Sequence, residues 1–153
     1  MKTKLNIFLS YAHEDELMKA ELDKSLIGLK RSGRIDVWQD KEIMAGQEWD
    51  EAIKNKLAEA DIILLLISVD FNNSQYIWEK ELTVAMQRHN EGKARVIPII
   101  LRPCDWGNFP YAKLQALPDG AVPVSTFENK DEAYTNIARK IGSVVDYMLK
   151  NAQ

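Results

Sequence analysis

Residues 61–68, with the sequence DIILLLIS, constrain the fold more than any other part of the chain. The segment lacks the alternation of a half-exposed strand, and it is far shorter than the roughly 20 residues that cross a bilayer as a helix. A short strand that is apolar on both faces is typical of the centre of a parallel sheet covered by helices on both sides. This segment therefore predicts a layered α/β fold.

The rest of the chain alternates between short apolar runs and amphipathic stretches. Strands are predicted at residues 4–10, 34–40, 61–68, 94–101 and 121–125, and helices at 14–32, 48–60, 74–90 and from 129 or 131 onward. Such alternation implies a parallel sheet with right-handed crossovers, and five strands suggest a flavodoxin-like α/β fold of order 2-1-3-4-5 with helices on both faces. Pro98 lacks a backbone donor, so its strand should lie at an edge or be irregular.

Ligands in such sheets bind beyond the carboxyl ends of the strands, near the point where the strand order reverses. The loops after Ser10 and Asp40 and the helix after Ser68 would meet at that edge. The sequence therefore predicts a site there.

Composition excludes several classes of function. The 153 residues fit one domain, and a net charge of −3 with scattered basic residues argues against a nucleic-acid partner. A single cysteine, Cys104, and the lack of a signal peptide or membrane-spanning run favour a cytoplasmic protein with no membrane partner. Neither His13 nor His89 has metal-ligand spacing, so no metal is expected.

The common enzyme signatures of this fold class are also missing. The sequence has no G-x-G-x-x-G after the first strand, no G-x-x-x-x-G-K-[ST], and no G-x-S-x-G elbow. These absences argue against a dehydrogenase, a P-loop enzyme and a serine hydrolase.

Four segments in order resemble the Toll/interleukin-1 receptor (TIR) domain family, bacterial type. They are IFLSYAHEDE, VWQDKEIMAGQEW, LISVDFNNSQYIWEKEL and IPIILRPCDW, and the resemblance covers nearly the whole chain. It implies one TIR domain over residues 1–153, which is either an entire protein or one domain taken from a larger sensor-effector protein. It also implies self-association and, as in many bacterial members, cleavage of NAD to nicotinamide and linear or cyclic ADP-ribose, with NAD as substrate and no cofactor.

The resemblance also assigns residues to the site. Glu81 matches the family's catalytic glutamate, and the substrate-binding positions would be Ser10, Tyr11, Ala12, His13, Asp40, Ile43, Gly46 and Trp78. Trp106, in an aromatic loop, is expected either to pack, to stack on adenine or to contact a neighbouring subunit. The family's aromatic residue four positions before the glutamate is replaced here by Ile77, with Trp78 and Tyr76 three and five positions before.

Helical geometry separates the two glutamates of this segment. At about 100° per residue, Glu81 lies at the border of the apolar stripe that contains Trp78, and Glu79 lies on the opposite side, toward water. A fixed carboxylate at that border suits the oxocarbenium-like transition state of nicotinamide release. Glu81 is therefore the predicted catalytic residue.

Two functions of different classes remain open from the sequence. The first is an NAD glycohydrolase or ADP-ribosyl cyclase that acts as the effector of a bacterial anti-phage defence system, is activated by self-assembly, and works with a fused or separate sensor domain. The alternative is a non-catalytic TIR–TIR signalling module. An enzyme acting on NADP is a third hypothesis.

Overall fold

The computed structural model describes residues 2–38 and 45–151. Its sheet contains strands β1 (Leu5–Ser10), β2 (Ile35–Trp38), β3 (Ile62–Ile67) and β4 (Arg95–Ile100), all paired in parallel in the order β2-β1-β3-β4. Every residue of β3 is buried. The central position predicted for residues 61–68 is confirmed.

In the described residues, six α-helices cover the sheet: α1 (Glu16–Ser25), α2 (Ile27–Arg31), α3 (Trp49–Glu59), α4 (Val69–Asn73), α5 (Thr83–Asn90) and α6 (Lys130–Asn151). Ile62, Leu64 and Leu66 of β3 pack in one core cluster with α1, α2 and α6. Ile63, Leu65 and Ile67 face the other cluster, with α3, α4 and α5. Because successive side chains of a strand point to opposite faces, one apolar run supplies both layers.

The fifth strand predicted at residues 121–125 is wrong. Two single 3₁₀ turns, Asp119–Ala121 and Val124–Thr126, overlap the ends of that segment, and the described part of the sheet has four strands. Pro118 and Pro123 have no N–H to donate, and Gly120 adopts a φ of 77°, so a ladder cannot continue there. Leu117 instead forms one isolated bridge to Ile99.

Strand β4 lies at the edge of the sheet, as Pro98 predicts. The Pro98 carbonyl accepts from the Leu117 N–H at 2.9 Å, and the Ile100 N–H donates to the Leu117 carbonyl at 2.8 Å, both away from β3. The missing donor of Pro98 therefore faces the outer edge, where it costs no bond to β3. Nearer the start of the strand, the Val96 N–H donates to Nδ1 of His89 at 3.1 Å, so a side chain covers this edge.

This bond makes stability depend on the protonation of His89. Burial, followed by the charges of Lys113 and Arg95, lowers the pKa of His89. The pKa of His89 is lower in the folded protein than in the unfolded chain. The contribution of neutral His89 to the free energy of unfolding is therefore fully present above the unfolded pKa of about 6.5, and it is lost as the pH falls through the folded pKa.

We therefore expect the urea midpoint to fall between about pH 7.5 and about pH 5.5, and to fall less in His89→Gln, whose amide oxygen can still accept from Val96. Identical pH profiles for the two proteins would contradict this assignment.

Candidate functional site at the carboxyl edge of the sheet

Glu81 lies in a π-helical turn, Ile77–Leu82, that continues directly into α5. The Thr83 N–H bonds to the Trp78 carbonyl five residues earlier, and the Thr83 hydroxyl donates to the same carbonyl at 2.8 Å. A π-turn inserts an extra residue into the helix and is often found at functional sites. It changes which side chains of this segment share a face.

The two glutamates separate as predicted. Glu81 is buried, with 7% of its surface exposed. Glu79 is exposed and accepts from the Gln75 amide at 2.6 Å. The environment of Glu79 is therefore that of a surface charge, whereas the Glu81 side chain is largely shielded from solvent.

Ser10 holds the Glu81 carboxylate in place. Ser10 ends β1 and is fully buried, and its hydroxyl donates to Oε1 of Glu81 at 2.8 Å. The bond joins residues 71 positions apart in the chain. Since β1 lies beside β3, the end of β1 comes close to the helical segment that follows β3. The sheet order thus brings the two residues together.

Glu81 lines a cavity of about 370 Å³ beyond the carboxyl ends of the strands. Its volume lies in the range of about 300–1,000 Å³ typical of small-molecule sites. Three predicted site residues, Tyr11, Ala12 and His13, line the same cavity. The polar side chains of Glu14, Asp70, Asn73 and Ser74 complete much of its wall.

Aromatic rings form another wall. Trp49 at the start of α3 packs on Tyr76, with ring centroids 4.9 Å apart, and Trp38 stacks on Phe8 at 5.7 Å. The Tyr76 hydroxyl donates to Oδ1 of Asp50 at 2.8 Å. Burial, followed by this bond, raises the pKa of Tyr76, so the hydroxyl remains a donor. The contact anchors the π-turn to α3.

A network of charged residues ties the strand ends together beside the cavity. Asp15, 2% exposed, accepts from the Ser68 hydroxyl and from Nε of Arg102, the latter at 2.9 Å. Arg102 also donates to Asp70, a residue of the cavity wall. The bonds to Asp15 and then Asp70 raise the pKa of the Arg102 guanidinium. Segments after β1, β3 and β4 are thereby joined.

The structure departs from the sequence prediction at Trp78. This residue is 41% exposed, does not line the cavity, and packs edge-to-face on Phe109 at 5.8 Å. Tyr76 stands beside Glu81 instead. In an α-helix, residues five apart are rotated by about 140°, but a π-turn places them roughly one turn apart. In the sequence, the signal for this contact was Tyr76 itself, an aromatic residue five positions before the glutamate.

Two further predicted positions, Gly46 and Trp106, do not line the described cavity. Gly46 is exposed, with a φ of 88°, and is not among the lining residues. Trp106 is half-buried and packs against the core cluster of α3 and α5. Asp40 and Ile43 lie outside the described residues. Asp15, Ser68 and Arg102 were not predicted as site residues, because their pairing depends on loops that are distant in sequence.

Among residues 2–38 and 45–151, no group of three or more His, Cys, Asp or Glu side chains is placed to bind a metal ion. In the described part of the chain, no helix is both long enough and apolar enough to span a membrane.

The parallel sheet and the cavity at its carboxyl edge define a flavodoxin-like α/β domain with a ligand-type site. The family model for the TIR domain matches residues 7–138. The chain therefore belongs to the TIR domain family, as its motifs predict.

Two comparisons place the chain among known proteins. It is similar to the uncharacterized protein y4lF of Sinorhizobium fredii, with 41% identity over 147 residues that make up 96% of this chain and 46% of that protein. The chain thus spans about half of this bacterial relative. Its fold is similar to the crystal structure of the TIR domain of the Toll-related receptor TRR-2 from Hydra magnipapillata, with a TM-score of 0.51, 19% identity, and coverage of 90% of this chain and 98% of that one.

Proposed function

We propose that this TIR domain cleaves NAD at the bond between ribose and nicotinamide, with Glu81 as the essential carboxylate. The observation that carries the proposal is the Glu81 side chain, which is buried, accepts a hydrogen bond from Ser10, and lines a cavity with aromatic residues in its wall. A buried carboxylate in the wall of a cavity is typical of a functional group rather than a surface charge.

The reaction needs little besides such a carboxylate. Nicotinamide leaves as a neutral molecule from a positively charged ring, so no acid has to protonate it. Positive charge develops on the ribose as the bond breaks, and an ionised Glu81 held close to it would stabilise that charge. The hydrogen bond from Ser10 orients the carboxylate before the reaction, which avoids reorganisation during it.

The biological role is proposed from the family. TIR domains self-associate, and this domain would act in the cytoplasm as the effector of a bacterial defence system that is activated by assembly. A sensor region would belong to the same protein or to a partner. The length of the bacterial relative, of which this chain matches 46%, supports a fused arrangement.

The test measures the release of nicotinamide from NAD by the purified chain. Chromatography quantifies the nicotinamide at a series of protein concentrations. We expect release that rises more steeply than in proportion to concentration, because assembly would create the active form. NADP in a parallel reaction tests whether the 2′-phosphate is accepted. No release at any concentration, including assembled samples, would contradict the proposed activity.

One observation favours the alternative, a non-catalytic interaction module. Trp78 exposes 41% of its surface outside the cavity, and its ring contacts Phe109. Exposed aromatic residues are enriched at the centres of protein interfaces. Self-association without nicotinamide release, lost in Trp78→Ala, would support this alternative.

A further inference from the structure

A second cavity, of about 460 Å³, lies at the outer edge of β4. Its walls come from the first half of β4, from His89 on α5, from the segment 114–119 and from α6. None of its described lining residues lines the cavity that contains Glu81. Its volume is also within the range of about 300–1,000 Å³ that is typical of small-molecule sites. The domain therefore offers a second, separate place for a ligand.

Positive charge predominates in this second cavity. Arg95 and Lys140 are the described cations of its wall, and Asp119 is the described acid. Asp119 lies 3.6 Å from Lys140 and also accepts a hydrogen bond from the Asn136 amide at 2.8 Å. Arg95 instead holds its guanidinium over the Tyr147 ring, 5.5 Å from the ring centre, and no carboxylate of the described residues forms an ion pair with it. The charge of Arg95 is therefore available to an anion.

His89 adds a hydrogen-bond donor of fixed orientation. Its Nδ1 accepts from the Val96 N–H at 3.1 Å, so the neutral imidazole carries its proton on Nε2. Burial, followed by the charges of Lys113 and Arg95, lowers the pKa of His89 and so favours this neutral form. The effect of both cations on one ring indicates that they lie on the same side of the cavity. The Nε2–H is the donor that His89 can offer to a ligand there.

Most of the remaining wall is apolar. Leu114 and Val144 are only partly buried, so a ligand that covers them would remove apolar surface from water. The aliphatic side chains that line the cavity are Val96, Ile97, Leu114, Leu117 and Val144. A free phosphate would use only the cations, and a neutral hydrocarbon would use only the aliphatic surface. The combination suits a molecule that has both an anionic head group and an apolar body.

We propose that the cavity at the outer edge of β4 binds a compact organic anion. Arg95 and Lys140 would hold its head group, and the aliphatic side chains would cover its body. The site goes beyond the proposed function, because it is separate from Glu81 and has no part in the cleavage of NAD.

The test uses three probes, titrated into the 153-residue chain and followed by calorimetry. They are para-isopropylbenzoate, para-isopropylbenzamide, which has nearly the same shape without the charge, and inorganic phosphate, which has charge without the body. In about 0.15 M salt we expect the benzoate to bind at least about tenfold more tightly than either of the others. In amide NMR spectra, the benzoate should shift the signal of the Val96 N–H, which lies in the wall beside His89.

Variants separate the two parts of the site. Lys140→Gln should weaken binding of the benzoate about three- to fivefold and leave that of the benzamide unchanged. Arg95→Gln should weaken the benzoate more, since Arg95 has no partner comparable to Asp119. Val144→Ala should weaken both organic probes to the same extent, because it removes apolar contact alone.

Arg139→Gln is the matched control for Lys140→Gln. It removes the same charge one residue earlier on α6, from an exposed side chain that is not among the described lining residues. It should leave all affinities unchanged.

Three results would overturn the inference. They are equal affinity for the benzoate and the benzamide, an equal loss in Lys140→Gln and Arg139→Gln, and no binding of the benzoate up to its solubility limit. Shifts confined to amides of the Glu81 cavity, such as those of Ala12 and Asn73, would also overturn it. Because no NAD is present, each result is independent of whether the chain releases nicotinamide.

Discussion

Replacing Glu81 with glutamine is expected to lower nicotinamide release by at least about 100-fold, since the variant removes the negative charge that would stabilise the transition state. Glutamine has almost the same shape, and its amide oxygen can still accept the hydrogen bond from Ser10. A change confined to one charge should therefore leave the fold in place. Release by liquid chromatography and the urea unfolding midpoint would be measured on the same preparation.

Glu79→Gln provides the matched control, because the same change two residues away affects an exposed side chain bonded only to its neighbour Gln75 among the contacts described. It should leave the rate of release unchanged. The rate of release by Ser10→Ala should lie between those of Glu81→Gln and Glu79→Gln, since this variant removes the group that orients Glu81 but keeps the carboxylate. Full activity in Glu81→Gln would end its assignment as the essential carboxylate.

Arg102→Ala is expected to lower the free energy of unfolding by about 2–4 kcal/mol. The loss arises at Asp15, which is 2% exposed and would keep a buried charge with only the Ser68 hydroxyl described as its partner. Because 34% of the Arg102 side chain is exposed, water would relieve part of the penalty. Chemical unfolding in urea, fitted with a common slope, measures the difference.

Arg34 supplies the comparison, because its ion pair with Asp146 lies on the surface, with side chains 37% and 60% exposed. Arg34→Ala should cost less than about 1 kcal/mol. Adding Asp15→Asn to Arg102→Ala should recover at least about 1 kcal/mol, since the asparagine leaves no unpaired charge. If both arginine variants lost the same free energy, the buried network would contribute no special stability.

Several features of the fold were predictable because they depend on local patterns. An apolar run without alternation requires cover on both faces, which identified β3 as central, and Pro98 indicated an edge strand. The strand predicted at residues 121–125 was wrong because it was based on two valines, a residue type that favours strands. Whether such a segment joins a sheet depends on the donors that the prolines at 118 and 123 lack.

The candidate site was predictable to a smaller degree. Helical periodicity distinguished Glu81 from Glu79, and the resemblance placed residues 11–13 near it. Periodicity failed at Trp78 because it assumes 3.6 residues per turn, whereas Ile77–Leu82 is a π-helical turn. That turn places Tyr76, not Trp78, in the cavity wall.

The sequence by itself thus determined the family, the order of the four strands and the identity of the candidate carboxylate. These follow from periodicities and motifs that are carried within short segments. Only the tertiary structure decided what surrounds that carboxylate: the bond from Ser10 across 71 residues, the Trp49–Tyr76 wall and the Arg102 network. The physical reason is that these contacts join strand ends and loops distant in sequence, and the packing of the parallel sheet sets their separations.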